Sequence, residues 1–220
     1  MATIIGKSNP IGEPIDVDKA EEYVFGFLLF NDWSARDIQR WEYVPLGPFL
    51  AKNFFSSASP WVVTLEALEP FRVSAPVQTP SVLPYLNEKK HQNFDIHLEV
   101  TLTPSDSQLG TQNSQLICST NFKNMYWTVA QQIAHHTVNG CNLNVGDLLA
   151  SGTISGTEPN SYGSLLELTW GGKNPITLPD GSTRTFLEDG DMITIHGYAE
   201  KNGIRVGFGE LLNTVLPAKY

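Results

Sequence analysis

The chain has 220 residues, 41% of them hydrophobic and 17% charged, which is the balance of a globular protein able to bury its own core. No apolar run reaches the roughly 18 residues a membrane span needs, and the 14 Lys and Arg are scattered among 23 Asp and Glu, so neither a membrane anchor nor a phosphate-binding stripe is expected. Cys118 and Cys141 lack metal-ligand spacing, and Met1–Pro10 has neither the apolar core of a secretory signal nor an Arg-rich transit pattern. The expected location is the cytoplasm.

In chain order, Asp18 and Glu21 read as a variant capping box opening a short turn of helix over Lys19–Glu22. Tyr23–Phe30 reads as a strand covered on both faces, with Gly26 permitting close backbone approach. Polarity changes at Asn31. Ser34 is placed to cap a helix running to about Trp41, with Asp37 in its first turn, before Pro45, Gly47 and Pro48 force a loop. Four prolines between Glu69 and Lys90 predict a long surface connection without helix or ladder. Phe94–Leu102 alternates as a half-exposed antiparallel strand. Met125, Val129 and Ile133 predict an amphipathic helix over Lys123–Thr137, stopped by Asn139 and Gly140. Short strands follow at Leu148–Ala150, Leu165–Trp170, Ile176–Leu178, Thr183–Leu187, Met192–Tyr198 and Ile204–Gly207, with turns at Pro179–Gly181, Asp189–Gly190 and Asn202–Gly203. The whole reads as one β-rich α+β domain, a twisted and partly closed sheet with few helices.

Chemistry concentrates between Asn31 and Lys52. Arg36, Gln39 and Tyr43 share one helix face near Asp32, within a polar set that also holds Asp37, Arg40, Glu42 and Lys52. A carboxylate beside convergent donors suits a hard metal and an anionic substrate, although charged helix faces are commonly just solvated. Glu167 lies among leucines and is either a proton-transfer group or an outward carboxylate on a half-exposed strand. Gly152, Thr153, Ser155 and Gly156 form a small-residue segment that offers amides and hydroxyls to a carboxylate, or a plain turn. His135 and His136, adjacent on a helix, diverge by about 100° and read as structural. His97 and Glu99 share a strand face that reads as solvated.

The string NDWSARDIQRWEYVPLGPFLAK from Asn31 to Lys52 resembles the fumarylacetoacetase family. The resemblance continues through NFKNMYWTVAQQIAHHTVNGCNL (Asn121–Leu143), GDLLASGTISG (Gly146–Gly156) and SLLELTW (Ser164–Trp170). It implies the fold of that family's C-terminal catalytic domain, a mixed β-sandwich roll assembled as a homodimer. The implied activity is hydrolysis of a carbon–carbon bond in a β-diketo acid, 4-fumarylacetoacetate, giving fumarate and acetoacetate at the end of tyrosine and phenylalanine breakdown, with Ca²⁺ and Mg²⁺ in or near the site. Position by position, the resemblance makes Asp32 a metal ligand and matches Lys52 and Ser56 to Mg²⁺ positions, Ser56 standing where the family usually has Thr. It gives Arg36, Gln39 and the Lys52 ammonium the stabilisation of developing negative charge. Gln39, Tyr43 and Thr153 take the substrate contacts, and Glu167 the orientation of a catalytic His. The family's catalytic His and its Glu-x-Glu metal pair fall upstream of the part matching Ile4, so the chain is expected to be truncated at its N-terminal edge and to have little activity alone. Two other readings stand beside this one. The first is a carboxylate-binding or dimerisation module without catalysis. The second is a decarboxylase, hydratase or isomerase of the wider superfamily, against which the Arg36, Gln39 and Tyr43 set argues.

Overall fold

The computed structural model describes residues 1–105 and 113–219. Strand β1 (Ala2–Ile5), too short for its period to announce it, opens the chain. A 3-10 turn over Val17–Tyr23 follows, capped by Asp16, whose carboxylate accepts from the Asp18 amide at 2.9 Å. Asp18 is not the cap. Its carboxylate accepts instead from the Lys89 amide at 2.8 Å and pairs with the Lys89 ammonium at 2.9 Å. The single strand expected over Tyr23–Phe30 is two, β2 (Val24–Leu28) and β3 (Phe30–Asp32). The break lies at Leu29, whose amide donates to Ser59 Oγ and whose carbonyl accepts from the Ser59 amide, drawing the chain from one ladder into another. At Gly26 a Cβ would run into the Val63 carbonyl, so glycine is what lets the neighbouring strand close on β2.

Helix α1 spans Arg36–Glu42, one residue beyond the expected end, and starts at Ala35 without a side-chain cap. Ser34 does not serve it, because its hydroxyl is used elsewhere. Helix α2 (Leu50–Asn53), β4 (Ser56–Ala58), β5 (Val63–Thr64) and α3 (Leu65–Leu68) complete the N-terminal part. The stretch expected to be a featureless connection contains a 3-10 turn at Glu69–Phe71, β6 (Arg72–Ser74) and a second 3-10 turn at Pro84–Leu86, with Phe71 and Leu86 buried. Prolines at the first positions of both turns start them rather than forbid them. β6 pairs with β7 (Gln92–Phe94), and after Asp95 the chain enters β8 (His97–Thr103), so the expected Phe94 strand is again split across two ladders. Its alternation holds, with Ile96, Leu98 and Leu102 inside. β9 (Gln115–Asn121) pairs with β8.

Helix α4 covers only Val129–Thr137. Thr128 starts it with a capping box closed by Gln131, which leaves Met125 in the preceding turn, and the expected stop follows with the Gly140 amide on Thr137 O. Beyond β10 (Leu148–Ala150), the segment expected as a strand at Leu165–Trp170 is helix α5 (Leu165–Leu168), because Ser164 Oγ accepts from the Glu167 amide at its N-terminus. β11 (Ile176–Thr177) and β12 (Thr183–Arg184) are shorter than expected. β12 ends where the Arg184 guanidinium turns inward onto the fully buried Asp191 carboxylate at 2.8 and 3.0 Å. β13 (Met192–Lys201) and β14 (Ile204–Thr214) outrun their expected ends, joined at Asn202 and Gly203, both at positive φ as a two-residue hairpin requires.

The strands form two four-stranded sheets, β10-β1-β2-β5 and β14-β13-β8-β9, and three two-stranded ladders, β3-β4, β6-β7 and β11-β12; every ladder among the described residues is antiparallel. The architecture is therefore β-rich α+β. One core joins both sheets and α4, and Phe27 of β2 sits in it edge-on to Phe94 at 5.4 Å and Phe122 at 5.9 Å. Phe25, two residues back on the same strand, is exposed. Phe27→Ala should therefore cost about 3–5 kcal/mol in urea unfolding, whereas Phe25→Ala should stay within about 0.5 kcal/mol of the parent. Equal losses at both positions would contradict this placement of the core.

Candidate active site

β2 leaves the core and continues into β3, delivering Asp32 to the surface opposite Ser56 of β4 in the ladder register. Residues directly opposite in an antiparallel pair project on one face, so the Asp32 carboxylate and the Ser56 hydroxyl share a side of the ribbon. The Lys52 ammonium, reaching back from α2, lies 2.7 Å from Asp32 Oδ2 and donates to Ser34 Oγ at 2.7 Å. α2 is itself held by Glu42, whose carboxylate accepts from the amides of Phe49 (2.7 Å), Ala51 (2.8 Å) and Leu50 (3.3 Å). Those amides, Ala51 foremost, hold the Glu42 carboxyl below its usual range. Glu42 thus positions the helix that carries Lys52, a role its place among the charges of Asn31–Lys52 did not reveal.

On α1, Arg36 Nη1 donates to Gln39 Oε1 at 2.8 Å, which turns the Gln39 amide NH₂ outward as a donor. Partial burial pulls the Arg36 guanidinium down from its ordinary range, and the negative charges of Glu167 and Asp32 oppose that pull. Arg36 therefore lies within electrostatic reach of both carboxylates. Glu167, on α5, accepts from Ser155 Oγ at 2.9 Å and Ser164 Oγ at 2.6 Å, one serine on each oxygen. The sequence SLLE over Ser164–Glu167 is a capping-box spelling, so both the helix and the Ser164 contact had a local signal.

Asp32, Lys52 and Ser56 thus form one group and Arg36 with Gln39 a pair on the adjoining α1, with Arg36 feeling the charges of Glu167 and Asp32. Tyr43 and Thr153 are exposed, and among the described residues neither makes a side-chain hydrogen bond into the group. His135 and His136 turn to different partners, Tyr85 Oη at 2.8 Å and Cys141 Sγ at 3.5 Å, as their adjacent helical positions implied. His97 stacks on Tyr198 with ring centroids 5.0 Å apart. Among the described residues no three His, Cys, Asp or Glu side chains converge to hold a metal ion. A hard divalent cation takes about six to eight oxygens; Asp32 and Ser56 offer too few, and a lysine ammonium already holds one Asp32 oxygen.

A family model described as the fumarylacetoacetate (FAA) hydrolase C-terminal domain matches residues 1–216. The chain belongs to this family. It is 58% identical to the Arabidopsis thaliana fumarylacetoacetase and 56% identical to the human one, each over 99% of this chain and 51% of the relative. The chain therefore spans about half the length of these curated relatives. A solved yeast fumarylacetoacetate hydrolase family protein shares the fold at a TM-score of 0.57 and 15% identity, covering all of this chain and 66% of that one.

One internal reporter lies close to the group. The Cys118 thiol is pushed up to about 11, first by burial and then by the charge of Glu167, while Cys141 is exposed. A thiol reagent at pH 8 should therefore label one cysteine in the folded chain and both after unfolding. Raising the pH toward 11 should bring Cys118 into reaction, at a lower pH in Glu167→Gln. Labelling of both thiols at pH 8 without unfolding would contradict the arrangement.

Proposed function

We propose that this chain forms one wall of a fumarylacetoacetase-type site, which hydrolyses the carbon–carbon bond of 4-fumarylacetoacetate to fumarate and acetoacetate in tyrosine and phenylalanine breakdown. The observation that supports this most is the gathering of Asp32, Lys52, Arg36 and Gln39 within a chain so similar to fumarylacetoacetases along its whole length.

In this reading the outward Gln39 amide and the free N–H groups of Arg36 grip a substrate carboxylate, with Tyr43 and Thr153 completing the contact. Lys52 has three N–H donors, two of them engaged by Asp32 and Ser34. The third faces the oxygen that becomes negative as water adds to the carbonyl and the acetoacetate fragment departs. Glu167, steadied by its two serines, orients an imidazole that activates that water. Nothing in these steps passes through a metal. Ca²⁺ or Mg²⁺, with Asp32, Lys52 and Ser56 as this chain's share of the surroundings, needs further oxygens from elsewhere, and Lys52 competes with it for Asp32.

The same reading includes a β-sandwich roll, a cytoplasmic setting and a homodimer. The dimer is supported by the run of exposed apolar side chains beside the site, among them Trp41 at 87% exposure, Leu46 at 80% and Leu50 at 64%, since a patch of that kind on a soluble protein marks an interface. The group at the site tests the proposal directly. The purified chain should run as a dimer by light scattering and bind acetoacetate. Gln39→Ala should weaken that binding by about 1.5–3 kcal/mol, a charged hydrogen bond's worth. Turnover of fumarylacetoacetate should be negligible by absorbance. Binding without turnover in every preparation, including one supplied with the remaining half of a relative, would favour a carboxylate-binding module; unchanged binding in Gln39→Ala would overturn the assignment.

A further inference from the structure

One cavity lies away from this group. It is a half-open groove of about 1010 Å³ between the Pro80–Leu86 segment, the start of α4 and the whole of β10. Its walls are mostly apolar, with Leu83, Met125, Trp127 and Leu143 prominent. Its side-chain polar groups are largely spent. Gln131 donates to Gln78 Oε1 and Leu86 O and accepts from the amides of Gln78 and Thr128. Gln132 donates to Trp127 O, Tyr126 Oη is occupied by Thr79 through both its amide and its carbonyl, and His135 Nδ1 is occupied by Tyr85 Oη. A small polar solute would find few partners there.

The backbone of β10 is different. Among the described residues β10 is an edge of its sheet, paired only with β1. The Ile5 amide donates to Asp147 O and the Ser151 amide to Met1 O, so residues 147 and 151 turn toward β1. Antiparallel pairing alternates, so Leu149 turns the same way, while Leu148 and Ala150 present their N–H and C=O groups outward along the groove. An apolar trough beside a free row of backbone donors and acceptors fits an added strand.

We propose that β10 and this groove form a docking site for an extended, apolar strand from the half of the fumarylacetoacetase chain that this chain does not span. The occupant follows from the relatives, whose length is about twice the matched part, and from the family description, which assigns the matched part to the C-terminal side. The added strand would run along β10 and extend the sheet to five strands, with alternate side chains entering the trough. This site is independent of the catalytic reading, and its test does not use turnover.

The experiment is hydrogen exchange on the 220-residue chain, alone and mixed with the separately expressed N-terminal half of the Arabidopsis thaliana relative. Within the peptide covering Leu148–Ser151, the outward amides of Leu148 and Ala150 should exchange quickly in the chain alone and slow by at least about tenfold in the mixture, whereas those of Leu149 and Ser151, turned to β1, are slow in both. Ala150→Pro removes one outward donor and leaves the ladder to β1 intact, so it should weaken the association while the chain's own melting is unchanged. A complex that forms without protecting this peptide would overturn the proposal. So would no complex at all, or protection in the chain alone that grows with its concentration, which would assign the edge to a second copy. Equal affinity of the partner half for the wild type and for Ala150→Pro would overturn the backbone part of the argument.

Discussion

The seating of Phe27 against Phe94 and Phe122 is the constraint on which the rest of the molecule depends. It fixes β2 between β1 and β5 while binding the first sheet to the end of the second, and the chain leaving that pinned strand has one short step to Asp32. Because interiors pack at the density of crystals, a strand anchored this way cannot slide by a residue without moving its whole apolar set to the wrong face. The position of Asp32 is therefore inherited from the core. The ladder to β4 then sets Ser56 across from it, and Ser59 enforces the hand-over from one sheet to the next.

The polar group at the surface is built from borrowed parts. Lys52 arrives on a helix of four residues, too short to persist unaided, and Glu42 holds it by taking the helix's first free amides. Ser34, freed from any capping duty, receives the Lys52 ammonium. The consequence is electrostatic. Asp32 meets an internal cation before it meets any other, and the half-exposed pair is worth little to stability, about 0–1 kcal/mol by the usual measure of such pairs.

Much of this was legible in the residues. Alternation placed Ile96, Leu98 and Leu102 inside, the Asn202–Gly203 turn marked the long hairpin, and Gly26 marked a close approach. What escaped shares a cause. The breaks at Leu29 and Asp95 come from partners far away in sequence, and no local period reports them. Leu165–Trp170 has an alternating spelling, but a serine cap contributing on the order of 1 kcal/mol decides for helix in so short a segment. Glu42 was missed as a support because a supporting side chain is defined by what it holds, and the amides of Phe49 and Ala51 that it holds reach it only in the fold.

The central claim is that Asp32 in this chain is partnered by Lys52 and supplies only part of a cation's oxygen cage. Calorimetric titration of Mg²⁺ and of Ca²⁺ into the purified chain, with Asp32→Asn as the comparison, tests it most directly. The account predicts binding on the order of 1 mM or weaker, at the feeble end of protein cation sites, and its loss in Asp32→Asn. Micromolar binding that survives in Asp32→Asn would contradict it, because the cation would then be held by a set of ligands that does not include this carboxylate.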